Sequence, residues 1–204
     1  ESASISRDDC LCNPGYYLTS ELTSCTACPV GTYKDTTGRD DSTACITCLN
    51  STSMLASTDK GDCRCNEGFT GSNNDCVQCE VGKYKESHGS APCDDCTMNS
   101  VSPSASSSKT NCSCNFGYST GDGVSTCDAC PGGTYKSTIG SDSCVSCPDN
   151  SISVNGSVEI TNCECSPGYT GENGETCTKC DAGFFKNASG NASCQSCPDF
   201  YTSS

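Results

Sequence analysis

Cysteine pairs recur along this chain with a period of about fifty residues, and no other feature constrains its fold as strongly. Of the 204 residues, 24 are cysteine, a share above the roughly 8–10% that marks a disulfide scaffold. A C-x-C pair occurs four times, at offsets of 53, 49 and 51 residues, and two C-x-x-C pairs follow each one. The C-x-C pairs are Cys10/Cys12, Cys63/Cys65, Cys112/Cys114 and Cys163/Cys165. This pattern predicts a tandem array of small cysteine-stapled repeats.

The apolar content is too low for an ordinary hydrophobic core. Only 23 residues are Leu, Ile, Val or Phe, there is no Trp, and the net charge is −14. A chain of this composition would normally stay disordered, so covalent cross-links are expected to replace the missing core. Disulfides persist in oxidising compartments, and an extracellular or cell-surface location is therefore predicted.

Charge and hydropathy exclude two classes of partner. A strongly acidic chain without Lys or Arg clusters does not favour nucleic acid or anionic membrane surfaces. No run of 18 apolar residues is present, so no membrane insertion is expected within this segment. The chain opens on Glu1 without a signal peptide, and we interpret it as a mature or excised segment. The acidity is best explained by solubility, with weak calcium attraction as the alternative.

Several glycosylation signals agree with an extracellular location. The Ser-rich stretch 100–108 is a candidate for O-glycans, although an ordinary exposed loop also explains it. Cys112 stands inside one of the N-glycosylation sequons and disfavours its use. The five candidate N-glycosylation sites are Asn50, Asn111, Asn155, Asn187 and Asn191.

Other residues repeat in phase with the cysteines. A Gly-aromatic pair follows each C-x-C, and a Gly-x-aromatic-Lys run follows each first C-x-x-C, as at Gly133-Thr-Tyr-Lys136. The glycines suit positive φ at tight turns, and the aromatic side chains are expected to cover disulfides. The alternation in these runs predicts short two-stranded β-ribbons and loops with almost no helix. The fold class expected is a series of such small disulfide-rich repeats stacked into an elongated rod.

These motifs together resemble the ephrin-receptor-like cysteine-rich module. The module is a relative of epidermal-growth-factor-like domains and is similar in logic to tumour-necrosis-factor-receptor repeats, and the resemblance covers nearly the whole chain. It implies a fold more strongly than a function, because such modules occur in many surface proteins. The acidic calcium-binding signature of some growth-factor-like domains is lacking, so no cofactor and no specific calcium ion are expected. The predicted divisions are the end of a preceding unit at 1–11 and repeats 1 to 4 at 12–64, 65–113, 114–164 and 165–204, the last of them truncated.

Sequence alone does not fix which cysteines pair, but the resemblance implies a scheme. The second Cys of each C-x-C closes a small loop, and the other four cysteines of each repeat pair crosswise. The implied small-loop bonds are Cys12–Cys25, Cys65–Cys76, Cys114–Cys127 and Cys165–Cys177. The implied crosswise bonds are Cys28–Cys48, Cys45–Cys63, Cys79–Cys96, Cys93–Cys112, Cys130–Cys147, Cys144–Cys163 and Cys180–Cys197.

This scheme leaves Cys10 and Cys194 without partners in the chain. We therefore expect the chain to be a window from a longer array, or copies to be joined end to end through these two thiols. Only one or two residues separate neighbouring bonds at each C-x-C and first C-x-x-C, which predicts a stiff array without free linkers. Reduction is expected to unfold it completely.

Metal and catalytic interpretations are weaker. The spacing from Cys79 to Cys93 is near that of a zinc ribbon, but a zinc site would leave the C-x-C pairs unused. His88 is the only histidine and lies on a variable loop, and paired acids such as Asp94-Asp95 are adjacent in sequence and point apart. The C-x-x-C pairs also lack the βαβ context of a redox motif. No catalytic residue, no metal ligand and no enzyme activity are predicted.

Two function classes remain. The array is either an extracellular structural element, such as a stalk or a subunit of a cell-surface or flagellar, mastigoneme-like filament, or the ligand-binding or adhesive ectodomain of a receptor. Near-identical units favour the structural class, because similar surfaces stack readily into fibres. Its partners would be other copies of itself or other extracellular proteins. A binding site should instead interrupt the repeat with an exposed apolar patch. The only candidates are Met54-Leu55, Phe184-Phe185 and Phe200-Tyr201.

Overall fold

Two-stranded antiparallel ribbons account for all the strands of the computed structural model, which describes residues 10–19, 24–120 and 126–198. Within the described ranges there are eleven such ribbons and no α-helix. The prediction of short ribbons with almost no helix is confirmed. The described residues of Glu1–Cys96 and Ser102–Cys112 form one compact unit, and those of Thr97–Val101 and Ser113–Ser204 form a second.

All four repeats have a loop ribbon followed by a central ribbon, and a joining ribbon follows in the first three. The loop ribbon follows the C-x-C pair and closes the first small loop. Its strands pair as Tyr16–Leu18 with Cys25–Ala27, Phe69–Ser72 with Asp75–Gln78, Tyr118–Thr120 with Cys127–Ala129, and Tyr169–Thr170 with Thr178–Lys179. The central ribbon begins in the Gly-x-aromatic-Lys run. Its strands pair as Thr32–Tyr33 with Ile46–Thr47, Lys83–Tyr84 with Asp94–Asp95, Thr134–Tyr135 with Val145–Ser146, and Phe184–Phe185 with Gln195–Ser196.

The joining ribbon connects the end of one repeat to the C-x-C that begins the next. Its strands pair as Ser51–Thr52 with Arg64–Cys65, Ser100–Val101 with Ser113–Cys114, and Ser151–Ile152 with Glu164–Cys165. A capped single turn of 3₁₀ helix precedes the second strand of each joining ribbon, and a further such turn lies at Ser42–Ala44. The three turns before the joining strands are Lys60–Asp62, Lys109–Asn111 and Ile160–Asn162.

Eleven disulfides cross-link the described residues, and each joins a cysteine to the next one along the chain. The four small-loop bonds have the partners that the resemblance implies: Cys12–Cys25, Cys65–Cys76, Cys114–Cys127 and Cys165–Cys177. The crosswise scheme is wrong for the rest. The bonds present are Cys28–Cys45, Cys48–Cys63, Cys79–Cys93, Cys96–Cys112, Cys130–Cys144, Cys147–Cys163 and Cys180–Cys194, in place of Cys28–Cys48, Cys45–Cys63, Cys79–Cys96, Cys93–Cys112, Cys130–Cys147, Cys144–Cys163 and Cys180–Cys197.

The alternation of side chains along the central ribbon explains why the crosswise bonds do not form. Directly opposed residues of an antiparallel pair share a face, and residues three apart on a strand lie on opposite faces. Because Tyr33 pairs with Ile46, the side chain of Cys48 shares the Tyr33 face and that of Cys45 points the other way. Tyr33 accordingly packs in one buried cluster with Cys48 and Cys63. Cys45 is left on the opposite face to bond Cys28, and Cys197, not Cys194, is the second free thiol together with Cys10.

In the first three repeats, the glycine after the C-x-C is required by a close approach of the backbone. Gly68 has φ of +76°, and a Cβ built there would lie 2.3 Å from the carbonyl oxygen of Ala105. Gly117 approaches the carbonyl oxygen of Gly156 in the same way, with 2.3 Å for its hypothetical Cβ. The expectation of positive φ at these positions is confirmed, and any side chain would separate the two ends of the repeat.

Candidate functional site: the repeat joint and its exposed surface

One lysine per repeat is buried in the place of a hydrophobic core residue. Lys34, Lys85 and Lys136 are each 1% exposed, and Lys186 is 8% exposed. The Lys136 ammonium donates hydrogen bonds to the carbonyl oxygens of Thr138 at 2.9 Å and Gly140 at 3.0 Å. Burial lowers the pKa of Lys85 and of Lys136 from its usual value. The lysine of the repeated motif is therefore an internal cation that ties a loop to the end of the central ribbon.

Two buried serines complete each of the first three repeats. The hydroxyl of Ser153 donates to the carbonyl oxygen of Thr134 at 2.8 Å, and that of Ser157 donates to Val154 at 2.8 Å. The equivalent serines of repeat 2, Ser102 and Ser106, lie inside the Ser-rich stretch and are 1% and 6% exposed. These two serines of the stretch are therefore internal structural residues.

Sequence reasoning missed both sets of polar residues. The signal was present, because a lysine and two serines recur at fixed positions. These residue types are, however, usually exposed.

An asparagine clamps each joint between successive repeats. Asn50, Asn99 and Asn150 adopt left-handed backbone conformations, with φ of 50°, 62° and 60°. Their side-chain amides donate across the joint to the carbonyl oxygens of Cys76, Cys127 and Cys177, at 3.4, 3.4 and 3.2 Å. The left-handed conformation suits Asn better than other residues with a side chain. The recurring Asn-Ser pair is thus explained by the joint.

Hydrogen bonding of the side chain separates the candidate glycosylation sites into two groups. The amide of Asn50 is committed to Cys76, and the amide oxygen of Asn111 accepts from the backbone N–H of Ser108 at 3.0 Å. The side chain of Asn155 also accepts, from the N–H of Gly132 at 2.7 Å. Asn187 and Asn191 are exposed, and no hydrogen bond joins their side chains to other described residues. A glycan at either of these two sites would disturb the fold least.

Exposed apolar side chains collect beside the joining ribbon of repeat 1. Val30, Met54 and Leu55 are 64%, 79% and 63% exposed, and they line a surface depression of about 610 Å³ together with Arg64 and His88. Of the other predicted patches, Phe184 and Phe185 are also exposed, at 42% and 38%. Phe200-Tyr201 lies outside the described residues.

The residues considered above for catalysis or metal binding do not belong to a metal-binding cluster in the described part of the chain. His88 and Asp94-Asp95 are exposed, and no three His, Cys, Asp or Glu side chains are arranged there to hold a metal ion. Cys79 and Cys93, the basis of the zinc interpretation, are bonded to each other. Within the described ranges, no helix combines the length and the apolar character needed to span a bilayer.

A family model described as "Tyrosine-protein kinase ephrin type A/B receptor-like" matches residues 15–63, 117–163 and 168–204, more than half of the chain. The chain belongs to the ephrin-receptor-like family. The matches fall in repeats 1, 3 and 4, and repeat 2 has the same ribbons and bonds although it lies outside them. The predicted family is confirmed.

Relatives of this ephrin-receptor-like chain are modular proteins. It is 39% identical over 83 residues, 39% of its length, to "Sushi, von Willebrand factor type A, EGF and pentraxin domain-containing protein 1" of Mus musculus. It is 35% identical over 83 residues, 40% of its length, to "Cysteine repeat modular protein B" of Toxoplasma gondii. It is 30% identical over 95 residues, 42% of its length, to "Signal peptide, CUB and EGF-like domain-containing protein 2" of Mus musculus. The matches span only 2%, 1% and 9% of these relatives.

Proposed function

We propose that this chain is an extracellular structural scaffold, a stalk or a subunit of a cell-surface or flagellar, mastigoneme-like filament, with no catalytic role. Residues 12–64, 65–113, 114–164 and 165–204 are its repeating elements. It acts by holding its surfaces at fixed spacing for other copies of itself or for other extracellular proteins. The observation that carries the proposal is the construction of the joints between repeats.

Each joint is short and hydrogen-bonded. A single residue, such as Arg64, separates the bond that ends one repeat from the bond that begins the next. Because consecutive disulfide loops do not overlap, no covalent bond crosses the joint except the backbone. The joining ribbon and the Asn50 clamp therefore restrain it, together with Asn74, whose side chain accepts from the hydroxyl of Ser51 at 2.8 Å. A joint restrained in this way favours a rigid spacer over a flexible linker.

The names of two relatives support an extracellular location. One relative carries "signal peptide" in its name, and another is named for cysteine repeats. The disulfides of this chain support the same location, since eleven disulfides need an oxidising compartment.

Negative-stain electron microscopy of native material tests the proposal. Straight rods or ordered filaments with a regular longitudinal repeat are the expected result. Dispersed particles that bend freely at the joints would contradict it. An Asn99→Ala variant should raise the flexibility at one joint, and Asn191→Ala, outside the joints, serves as its control.

The alternative is a ligand-binding or adhesive ectodomain. It is favoured by one observation, the exposure of the apolar Val30 and Leu55 in repeat 1. The residue equivalent to Leu55 is polar in the next two repeats, Ser104 in repeat 2 and Asn155 in repeat 3. Short dispersed particles that bind another extracellular protein through this surface, and lose binding in Leu55→Ser, would support the alternative.

A further inference from the structure

The depression beside the joining ribbon of repeat 1 has a counterpart of the same size in repeat 3. Their volumes are about 610 and 630 Å³. Six lining positions are the same in the two repeats. The shared pairs are Thr52 and Ile152, Ser53 and Ser153, Met54 and Val154, Asp62 and Asn162, Arg64 and Glu164, and His88 and Ser189. We call the first the Arg64 face and the second the Glu164 face.

Both faces expose apolar side chains to solvent. On the Arg64 face, Met54 and Leu55 are 79% and 63% exposed. On the Glu164 face, Ile152 and Val154 are 50% and 77% exposed. Exposed apolar side chains gathered in one place mark interaction surfaces more often than isolated ones do.

The faces carry opposite charges at the same structural position. Arg64 lies opposite Thr52 in one joining ribbon, and Glu164 lies opposite Ile152 in the other. Arg64 is exposed and makes no ion pair with another described residue, whereas Glu164 is exposed and accepts one hydrogen bond from Ser189 at 3.1 Å.

The other acid on the Arg64 face is already engaged. Asp62 accepts from the backbone N–H groups of Thr58 and Asp59 at 2.9 and 3.1 Å. Its counterpart on the Glu164 face is the neutral Asn162. The Asp62 carboxylate keeps its negative charge, but its Oδ2 is turned onto this backbone turn, so Arg64 is the charged group of the face that points to no ionic partner among the described residues.

Repeat 2 has neither charge at this position. Ser113 stands where Arg64 and Glu164 stand, and Pro103 replaces Met54 and Val154. The two faces are thus specific to repeats 1 and 3.

We propose that the Arg64 face of one copy of this chain docks on the Glu164 face of a second copy, with Met54 and Leu55 packing on Ile152 and Val154 as the charges pair. Like faces cannot pair equally well, because two Arg64 groups or two Glu164 groups would repel each other. Every copy carries one face of each kind, so the contact is head to tail and passes from copy to copy. The inference rests on the proposed scaffold function and names the surface through which it assembles.

A charge-swap series tests the proposal by sedimentation equilibrium of the full chain, with the thiols of Cys10 and Cys197 alkylated. The unmodified sequence should associate as its concentration rises, and less at high salt. R64E and E164R should each weaken association by about tenfold or more, since each places like charges in contact. The double variant R64E/E164R should restore it. The control K109E changes a lysine outside both faces and should leave association unchanged.

The contrary results are equally specific. A chain that stays monomeric at every concentration, single reversals that match K109E, or a double variant no better than either single one would each overturn the proposal. Filaments that form in the microscope and persist unchanged in R64E would overturn this surface while leaving the scaffold function standing. Far-ultraviolet circular dichroism and disulfide mapping of each variant verify that the fold is retained.

Discussion

Replacing a buried lysine by methionine is the most direct measure of the internal cations. Lys136→Met keeps most of the side-chain volume but removes the ammonium donor. Two carbonyl oxygens, those of Thr138 and Gly140, then lose hydrogen bonds of 2.9 and 3.0 Å. A hydrogen bond to a charged group contributes about 1.5–3 kcal/mol net, and relief of the desolvation of the ammonium offsets part of the sum. We expect the variant to lose about 2–4 kcal/mol of local stability.

Amide hydrogen exchange measured by NMR reports this loss where it occurs. The N–H of Gly140 donates to Cys114 at 3.0 Å, and that of Gly117 donates to the carbonyl oxygen of Lys136 at 2.9 Å. Both amides should exchange roughly 30- to 1000-fold faster in Lys136→Met, because every 1.4 kcal/mol or so is a factor of about ten. Lys179 is exposed, and Lys179→Met should change exchange at these amides little. Equal exchange in the two variants would refute the role of the buried ammonium.

The remaining predictions concern bonds, acid stability and glycans. Peptide mapping of the oxidised protein should recover Cys28 linked to Cys45, and a peptide linking Cys28 to the second cysteine of that C-x-x-C would contradict the structure. A hydrogen bond from the backbone N–H of Lys109 lowers the pKa of Glu86 below its usual 4.5. The stabilisation that the Glu86 carboxylate provides is therefore present above pH 4.5 and is lost as pH falls through the lower pKa that Glu86 has in the folded state. The difference in free energy of unfolding between the wild type and Glu86→Gln should therefore narrow below about pH 4.5 and disappear at the acid limit; a pH-independent difference would argue against it. Site-resolved mass spectrometry of protein secreted from a eukaryotic host should find glycan at Asn187 and little at Asn50, and the reverse occupancy would count against the clamp.

The tight turns and the ribbons of the fold follow from residue types that act on their immediate neighbours in the chain. A glycine beside an aromatic residue between closely spaced cysteines predicts a tight turn and a ribbon, as at Gly117-Tyr118, and the structure has both. The partners of the C-x-x-C cysteines are a different matter. They depend on the face of the central ribbon that each thiol occupies, and this is fixed by a strand register that spacing alone does not reveal. The buried role of Lys136 depends on carbonyl oxygens contributed by the loop that follows it.

The candidate surfaces were only partly predictable. Met54-Leu55 stands out in the sequence as an apolar interruption, but its relation to Ile152 and Val154 becomes visible only when the two joining ribbons are aligned by register. Phe185 stands where repeat 1 has Tyr33, yet Phe185 is 38% exposed and Tyr33 is 7% exposed. The Gly-x-aromatic-Lys motif is present in both repeats and does not encode this difference.

The order of the disulfides has a consequence for how the chain matures. From Cys12 to Cys194, every bond joins a thiol to the next one in line, 11 to 17 residues away. A chain delivered from its amino end into an oxidising lumen, at roughly 5–20 residues per second, presents each new partner within a few seconds of the last. First-come pairing that begins at Cys12 yields the native connectivity without later isomerisation, whereas pairing that begins at the free Cys10 would shift every bond by one. The same rule makes the connectivity sensitive to the loss of a single cysteine. Without Cys76, Cys65 would bond the next thiol, Cys79, and every later pairing would shift by one.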